Sequence, residues 1–395
     1  MSSIHRNVLL LAACQAMLLT NNSTLIAINA LAGLALAPAP LLATLPVTCW
    51  VLGSALTTVP ASFYMKRVGR RAGLIRGAAV GIIGALACAT AVWLQNFWLL
   101  CAGTLVWGTY NAFGQYYRFA AAEVASADFR ATAISLVLAG GLVGGILGPT
   151  TSRYTVDLLD AKFMGAYLGL ILFALIAIVL LRLVEVPNPA AEERATSGRP
   201  MHEIARQPKF MVAVLSGAVG YGVMNLLMTS TPIAMGACGH PFGDAAFVIS
   251  SHVIAMFAPS FVTGALIRRF GVLPVMVVGA LLNVGAIATA VSGISVGHFW
   301  SSLVLLGVGW NFLFVGGTAL LTETYRPEER AKAQGANEFA IFVMMLVSSL
   351  SSGMIVTGAG WELLNLAALL PLAAVVLAIL WLAIALRSKR AVAGA

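Results

Sequence analysis

Residues 62–71 read SFYMKRVGRR, with four cationic side chains around a glycine. Apolar sequence lies on both sides of this stretch, which predicts a short charged loop between two membrane helices. Residues 268–271 read RRFG and lie 202 positions after the KRVG of residues 66–69. A charged loop that recurs once at a long offset indicates a chain built from two repeated halves.

A second pair of landmarks repeats at nearly the same distance. Glu123 is followed seven positions later by Arg130, and Glu323 is followed by Arg330, an offset of 200. The long polar passage between the halves contains several prolines and reads as a linker. We therefore predict an N-terminal six-helix bundle over residues 1–185, a cytoplasmic linker over 186–207 and a C-terminal six-helix bundle over 208–395.

The composition excludes a soluble globule. Only 9% of the 395 residues are charged and 60% are hydrophobic, whereas soluble domains have about 25% charged residues. The chain is expected to be an all-α polytopic membrane protein, and the first apolar run is too long for a signal peptide and is expected to be retained. Runs of about 20 apolar residues predict twelve transmembrane helices, at 7–31, 40–64, 73–94, 98–120, 130–151, 163–185, 208–232, 243–267, 272–294, 298–321, 333–357 and 362–386.

The positions of Lys and Arg predict the orientation, because cytoplasmic connections retain positive charge. With the N-terminus inside, 21 of the 23 cations lie on the cytoplasmic side, and only Arg153 and Lys162 lie outside. Both termini are therefore expected in the cytoplasm. The net charge of +9 is accounted for by this topology and by anionic lipids of the bilayer, and it needs no nucleic-acid partner.

The loops around these landmarks resemble signatures of the major facilitator superfamily. Residues 62–71 resemble its GxxxD(R/K)xGRR motif, with Ser62 in place of Gly and Lys66 in place of Asp, and residues 327–333 resemble the matching motif after helix 10. The resemblance covers the whole chain and implies a rocking two-domain transporter with a site near the midplane. Because the family's Asp pairs with charges in other loops, we expect Lys66 to reach Glu123 instead. The residues assigned to this gating function are Lys66, Arg67, Gly69, Arg70, Arg71, Glu123, Arg130, Arg268, Arg269, Glu323 and Arg330.

Helix 5 carries a cluster of small residues. Its members are Gly140, Gly141, Gly144, Gly145, Gly148 and Pro149. The cluster resembles the glycine motif of drug/proton antiporters, although Thr150 and Thr151 stand where later glycines would follow. Its simpler interpretation is close packing between helices.

Predicted helices 7 and 8 carry two pairs of soft side chains. Met224 and Met228 are four residues apart, and so are His252 and Met256, so each pair shares one helix face. Counted at ~1.5 Å per residue from the outer surface, Met224 and His252 lie at the same depth. Thioether and imidazole ligands suit Cu(I) better than Mg²⁺ or Ca²⁺. We therefore predict a copper path through Met224, Met228, His252 and Met256.

This pattern is similar to the signature of CcoA-type copper importers within the same superfamily. The resemblance assigns metal binding to these four residues and implies copper import across the bacterial inner membrane, supplying a cbb3-type cytochrome oxidase. Downstream copper chaperones are the implied partners. The chain is expected to be a monomer. Copper is expected as the transported substrate, and no cofactor is expected. Further ligand candidates are Met17, Cys49 and Cys238, where Cys238 captures metal or pairs with a thiol such as Cys49.

An alternative substrate is a flat organic solute such as riboflavin or a drug-like molecule. Predicted helix 4 carries the aromatic and amide side chains that could stack and hydrogen-bond such a solute, although they could equally form a polar seam between helices. They are Trp107, Tyr110, Asn111, Gln115, Tyr116 and Tyr117. A third interpretation is a membrane receptor or assembly factor that binds copper without moving it.

Enzymatic activity is not expected from this sequence. It has no glycine loop for a nucleotide, no plausible nucleophile and base pair, and no zinc-type cysteine cluster. No carboxylate lies near the middle of a predicted span. Glu338, for example, lies near the inner end of helix 11. A carboxylate proton relay is therefore not visible, and entry of a monovalent cation driven by the membrane potential is physically sufficient.

Overall fold

The computed structural model describes residues 3–39, 42–187, 196 and 198–393, and this part of the chain contains helices and no strands. Two short 3₁₀ turns, Ala127–Phe129 and Pro327–Glu329, precede long helices. The all-α prediction is confirmed. The helices are α1 (Ser3–Leu36), α2 (Leu45–Val68), α3 (Arg70–Trp93), α4 (Phe97–Gly114), α5 (Tyr117–Val124), α6 (Arg130–Thr155), α7 (Met164–Leu183), α8 (Met201–Ala205), α9 (Pro208–Ala237), α10 (Phe242–Phe257), α11 (Ser260–Phe270), α12 (Val272–Val291), α13 (Val296–Leu321), α14 (Arg330–Gly358) and α15 (Gly360–Ala393).

Eleven helical segments in the described ranges are long and apolar enough to cross a membrane. The predicted fourth span, 98–120, is not among them, and its helix is divided. Helix α4 ends at Gly114, and α5 starts at Tyr117 after a two-residue break. The predicted eighth span is also divided, since α10 ends before Pro259 and α11 starts directly after it. A proline removes a backbone donor and clashes with the preceding turn, which accounts for the second break.

The two charged loops that revealed the repeat have the same backbone geometry. Gly69 and Gly271 both have φ of 89°, a conformation that side-chain-bearing residues rarely adopt. Each glycine N–H also closes the helix before it, on the Met65 carbonyl at 2.9 Å and on the Ile267 carbonyl at 2.8 Å. The same glycine therefore ends a helix and starts the next one in each half, as the offset of 202 predicts.

The glycine cluster of predicted helix 5 allows α6 to approach α1 closely. A Cβ atom on Gly140 would stand 2.2 Å from the Ala12 carbonyl oxygen. On Gly144 it would stand 2.6 Å from the Thr20 amide nitrogen. Backbone atoms cannot move aside for such a group, so these positions accept only glycine. The close-packing interpretation of the cluster is confirmed.

The described residues form two compact units. One comprises Met1–Ser197 and Pro327–Phe342, and the other comprises Gly198–Arg326 and Val343–Ala395. The first part of α14 therefore groups with the N-terminal helices, whereas the predicted boundaries at 185 and 208 assign it to the C-terminal bundle. Residues 188–195 and 197 of the predicted linker lie outside the described residues, and the three-part division stays a prediction.

Candidate functional site

Buried amides join three helices in the interior of the N-terminal unit. The side chain of Asn22 on α1 donates to the Asn111 carbonyl oxygen on α4 at 2.8 Å. Asn111 in turn donates to the Ser54 hydroxyl on α2 at 2.9 Å, and Gln115 donates to Asn111 at 3.4 Å. An amide offers both donors and acceptors, so this group can exchange hydrogen bonds with a polar solute.

A buried ion pair continues this chain of hydrogen bonds. Arg118 on α5 donates to the Gln115 side chain at 3.1 Å and also to the Glu338 carboxylate on α14. Asn337 donates to the same carboxylate oxygen at 2.7 Å. The side chains of Arg118 and Glu338 are only 2% and 1% exposed. A charge pair removed from water inside a membrane protein is costly to bury and is a candidate functional site by default.

Sequence reasoning missed this pair. Glu338 lies two turns into α14, which begins at Arg330. Arg118 lies 220 positions earlier in the chain, on the short helix that follows the break in α4. The signal that could have found it is an arginine within a predicted apolar span, because such a cation needs a carboxylate partner.

The aromatic members of the predicted solute-binding face are packed inside the N-terminal unit. Trp107, Tyr110, Tyr116 and Tyr117 are all completely buried. A Cβ on Gly81 of α3 would stand 2.7 Å from the Tyr110 Cβ, so this ring fills the space beside a glycine. These rings do not line an open cavity in this structure, and their stacking on an organic solute stays a prediction.

Two amides of the same face remain as contacts for a solute. Gln115 is partly exposed, unlike the other five predicted members of this face. Asn111 is 4% exposed and lies directly behind it in the hydrogen-bonded chain. Gln115, in the break between α4 and α5, is therefore the member of this predicted face that a solute can contact first.

The C-terminal unit repeats the central asparagine of α4. Asn311 on α13 lies 200 positions after Asn111, the offset already seen for the Glu and Arg landmarks. It donates to the Ser260 hydroxyl at 2.6 Å and to the Met256 carbonyl at 2.7 Å, and it accepts from Thr263 at 2.7 Å. In the N-terminal half, Asn111 therefore holds α2 through Ser54. In the C-terminal half, Asn311 holds α11 through Ser260 in the same way.

Aromatic rings cluster around Asn311. Trp310 stacks on Phe314 with ring centroids 4.8 Å apart and an interplanar angle of 16°. Tyr221 and Phe257 each pack edge-on against Trp310. Tyr221 is partly exposed, while the rings of Trp310 and Phe314 are buried. Tyr221 is the ring of this cluster that can contact a flat solute.

The predicted copper ligands differ in exposure. Met224, His252 and Met256 are buried, at 2%, 0% and 6% exposure, while Met228 is partly exposed. His252 Nδ1 lies 2.7 Å from the Leu303 carbonyl oxygen. Because a carbonyl only accepts, Nδ1 carries the proton and Nε2 keeps its lone pair. No residue in the described ranges hydrogen-bonds to that Nε2.

The described residues contain no group of three or more His, Cys, Asp or Glu side chains arranged to hold a metal ion. A site built from methionine sulfurs and one histidine is a different kind of metal site, so the Met and His ligand set stays a prediction. Met17, the further candidate on α1, is partly exposed. It also stays a prediction.

All five cysteines are free thiols. Cys238 is exposed in the loop after α9, and it forms no disulfide with Cys49 in this structure. Cys49 on α2 lies 52 positions before Cys101 on α4, the same offset at which the Thr57 and Thr109 hydroxyls of these two helices lie 3.2 Å apart. Metal capture by Cys238, or its pairing with a thiol, stays a prediction.

The gating residues of the first half form a charge cluster around Glu123. Arg70 donates to both Glu123 carboxylate oxygens at 2.6 to 3.2 Å, and Arg330 lies 3.4 Å from the same group. Arg70 also donates to Gln334 on α14. Burial by itself raises the pKa of Glu123. The two arginines lower this pKa by more than burial raises it, so it falls below the ordinary value of 4.5.

Lys66 does not complete this cluster. Its ammonium group donates to the backbone carbonyls of Thr196 at 2.6 Å and Glu328 at 2.9 Å. The expectation that it pairs with Glu123 is wrong, because Arg70 occupies that carboxylate. Arg67 and Arg71 are exposed, and Arg130 is partly exposed.

The equivalent loop of the second half is not organised in the same way. Arg268 and Arg269 are both exposed. Glu323, the repeat of Glu123, pairs instead with Lys209 at 2.6 Å, and both side chains are more than a third exposed. The buried charge cluster therefore belongs to the N-terminal unit.

Replacing Glu123 by glutamine is expected to destabilise the protein by about 3 kcal/mol, since Arg70 would be left buried without its countercharge. The depressed pKa of Glu123 also predicts acid sensitivity. The stabilisation is fully present above pH 4.5, the ordinary value, and is lost as the pH falls through the lower folded pKa. Thermal unfolding in detergent across pH 3 to 7 measures both effects.

The matched control is Glu323→Gln, which removes the exposed carboxylate at the equivalent position. It is expected to cost no more than about 1 kcal/mol. Equal losses for Glu123→Gln and Glu323→Gln would contradict a special role for the Glu123 cluster.

A family model confirms the architecture implied by the repeat. The model of the Major Facilitator Superfamily matches residues 9–260 and 213–394. The chain belongs to this superfamily. Its members include the riboflavin transporter RfnT of Brucella anthropi, to which the chain is 40% identical over 367 residues, 92% of each protein. It is also 30% identical to an uncharacterized transporter of this type, YdeG of Bacillus subtilis, over 82% of this chain and 79% of that one.

Solved structures of the superfamily share its fold. The human organic anion transporter MFSD10 has a TM-score of 0.80 at 13% identity, covering 95% of this chain and 99% of that chain. The transporter FucP in its outward conformation has a TM-score of 0.76 at 16% identity, covering 96% and 99%. At such low identity these likenesses show the two-half transporter fold alone. The chain is therefore a membrane transporter in architecture.

Proposed function

We propose that this major facilitator protein transports riboflavin or a closely related flavin. The observation that carries the proposal is the 40% identity to a riboflavin transporter over 92% of both chains. An alignment of this extent spans both halves of the chain. The proposal replaces copper as the leading substrate with the organic solute that the sequence offered as an alternative.

The chemistry of a flavin fits the polar groups of the N-terminal unit. Riboflavin combines a flat tricyclic ring, which carries carbonyl and ring-nitrogen atoms, with a chain of hydroxyl groups. Such a molecule needs paired donors and acceptors on a largely apolar wall. Gln115, backed by Asn111 and Asn22, supplies amide donors and acceptors.

The mechanism that we propose is alternating access between the two halves, with import into the cytoplasm. The distribution of cations favours the bacterial inner membrane with both termini in the cytoplasm. Riboflavin is neutral at physiological pH, so the membrane potential acts weakly on the solute itself. The buried Arg118 and Glu338 pair lies at the end of the amide chain and is the charged group nearest to the proposed contacts.

Copper import remains a second candidate because of His252. Its Nδ1 proton is held by the Leu303 carbonyl, and its buried Nε2 keeps a free lone pair. A histidine that ligates a metal usually donates its other ring N–H to a carbonyl or carboxylate in this way. Met224, Met228 and Met256 would complete a Cu(I) path to copper chaperones and a cbb3-type oxidase.

Expression of the protein in a bacterium that neither makes nor imports riboflavin is expected to restore growth on low riboflavin. Labelled riboflavin should accumulate over time, while the copper content of the same cells stays at that of cells without the protein. A carrier continues to accumulate solute, whereas a receptor saturates at one or a few molecules per protein. Parallel measurement of labelled riboflavin and cell copper therefore separates all three functions.

Variants link the uptake to named residues. Gln115→Leu is expected to reduce riboflavin uptake about tenfold, the effect of one lost hydrogen bond of ~1.4 kcal/mol. Thr150→Val is the control, because the exposed Thr150 hydroxyl bonds only to its own helix at Ile146. His252→Ala and Met224→Ala should leave riboflavin uptake intact. The flavin proposal would be contradicted if the unsubstituted protein accumulated copper and took up no riboflavin, and if these two variants lost the copper accumulation.

A further inference from the structure

Helices α2 and α4 of the N-terminal unit run side by side in the same direction with a constant offset. The hydroxyls of Thr57 and Thr109 lie 3.2 Å apart. One turn earlier, a Cβ on Gly53 would stand 2.0 Å from the Leu105 carbonyl oxygen, so the two backbones are in contact there. Both pairs are 52 positions apart. One further turn toward the helix starts, the same offset brings Cys49 opposite Cys101.

This register places Cys49 and Cys101 on the contacting faces of α2 and α4. Cys49 is partly exposed, whereas Cys101 is 6% exposed. A disulfide needs Cα atoms about 4.4 to 6.8 Å apart, and the missing side chain at Gly53 allows helices to approach to such a distance. We therefore expect the pair to be joined without a rearrangement of the helices.

We propose that Cys49 and Cys101 form a reversible disulfide between α2 and α4 when the protein meets a disulfide oxidant. The Cys49 thiolate attacks the oxidant, forming a mixed disulfide and releasing one reduced thiol. Cys101 then gives up its proton and attacks the Cys49 sulfur, which releases the second reduced thiol. The two cysteines lose two electrons and two protons, and the oxidant's sulfur–sulfur bond gains them.

The position of the pair explains which oxidant reaches it. Cys49 lies one turn inside the start of α2 at Leu45, and Cys101 lies one turn inside the start of α4 at Phe97. In the orientation proposed above, both helix starts face the outer compartment, where disulfides form and persist. Since both helices belong to one compact unit, the bond staples that unit internally.

A third thiol lies nearby but is poorly placed to compete. Cys88 on α3 is 1% exposed, and its sulfur lies 4.0 Å from the Leu100 carbonyl oxygen. An external oxidant cannot reach it first, so we expect the bond to form through Cys49.

The test uses purified full-length protein carrying Cys238→Ser, which removes the exposed thiol of the loop. A dipyridyl disulfide is added, and the released pyridinethione is measured. Two equivalents per protein are expected, with no pyridyl adduct left on the chain. Peptide mass spectrometry should then find a crosslink joining Cys49 to Cys101, and the unfolding temperature should rise relative to the reduced protein.

Single substitutions in the same background decide the outcome. Adding Cys101→Ser should limit the release to one equivalent and leave a pyridyl adduct on Cys49. Adding Cys88→Ser is the matched control and should leave two equivalents and the crosslink unchanged. A crosslink between Cys88 and Cys101, or a stable adduct on Cys49 while Cys101 is present, would overturn the proposal. Crosslink mapping of the unsubstituted protein provides the same decision without any mutation.

Discussion

Replacing Arg118 by leucine is expected to destabilise the protein by about 3–5 kcal/mol, the cost of leaving a buried carboxylate without its partner. Glu338 is 1% exposed, so water cannot replace the lost guanidinium. Asn337 alone would remain as donor to the carboxylate oxygen that Arg118 contacts. The loss should appear as a strongly reduced yield of folded protein in detergent and a lower unfolding temperature.

Replacing both partners by leucine should recover most of this loss, because no unpaired charge then remains inside the protein. The exposed ion pair of Arg6 and Glu185, with side chains 51% and 65% exposed, is the control. Arg6→Leu is expected to cost no more than about 1 kcal/mol. If the double variant is as unstable as Arg118→Leu, the pair is not the cause of the loss. Riboflavin uptake by the stable double variant then measures what the pair contributes to transport.

Gly53→Ala is expected to destabilise the protein by about 2 kcal/mol or more through overpacking. The added methyl group would stand 2.0 Å from the Leu105 carbonyl oxygen. Backbone atoms of α4 would have to move, which also separates the Thr57 and Thr109 hydroxyls. Thermal unfolding measures the stability, and the yield of the Cys49–Cys101 crosslink should fall in parallel because the two helices move apart.

Gly353→Ala is the matched control for this substitution. Gly353 lies within α14, and a Cβ there would meet no atom within 4 Å. Because alanine favours the helix interior over glycine, the control should be neutral or stabilising by about 0.5–1 kcal/mol. Similar destabilisation by both substitutions would indicate that close approach at Gly53 is not what matters.

Much of the fold could be predicted from the spacing of residues along the chain. Apolar runs of membrane length indicated the helices, and the repeated loops indicated the halves. The repeat could be read because its landmarks obey local rules. Gly69 and Gly271 end their helices with the same positive φ, and that need for glycine is visible in the sequence itself.

The candidate site could be predicted only in part. Asn111 and Gln115 were recognised as polar groups within an apolar helix, where they require partners. The rings of Trp107 and Tyr110 were assigned to the same solute-binding face, but both are completely buried. Helical spacing indicates which residues share a face, and it does not indicate whether that face meets a cavity or another helix.

The sequence by itself determined an all-α membrane transporter of two repeated halves, since helix length, loop charge and glycine position are local properties. Only the tertiary structure decided which polar groups meet: Arg118 with Glu338, Arg70 in place of Lys66 on Glu123, and Thr57 with Thr109. The physical reason is the 60% hydrophobic composition. When nearly every helix face is apolar, no contrast between polar and apolar faces indicates how a helix is rotated. Packing of small residues against neighbouring backbones sets that rotation, and it depends on the whole fold.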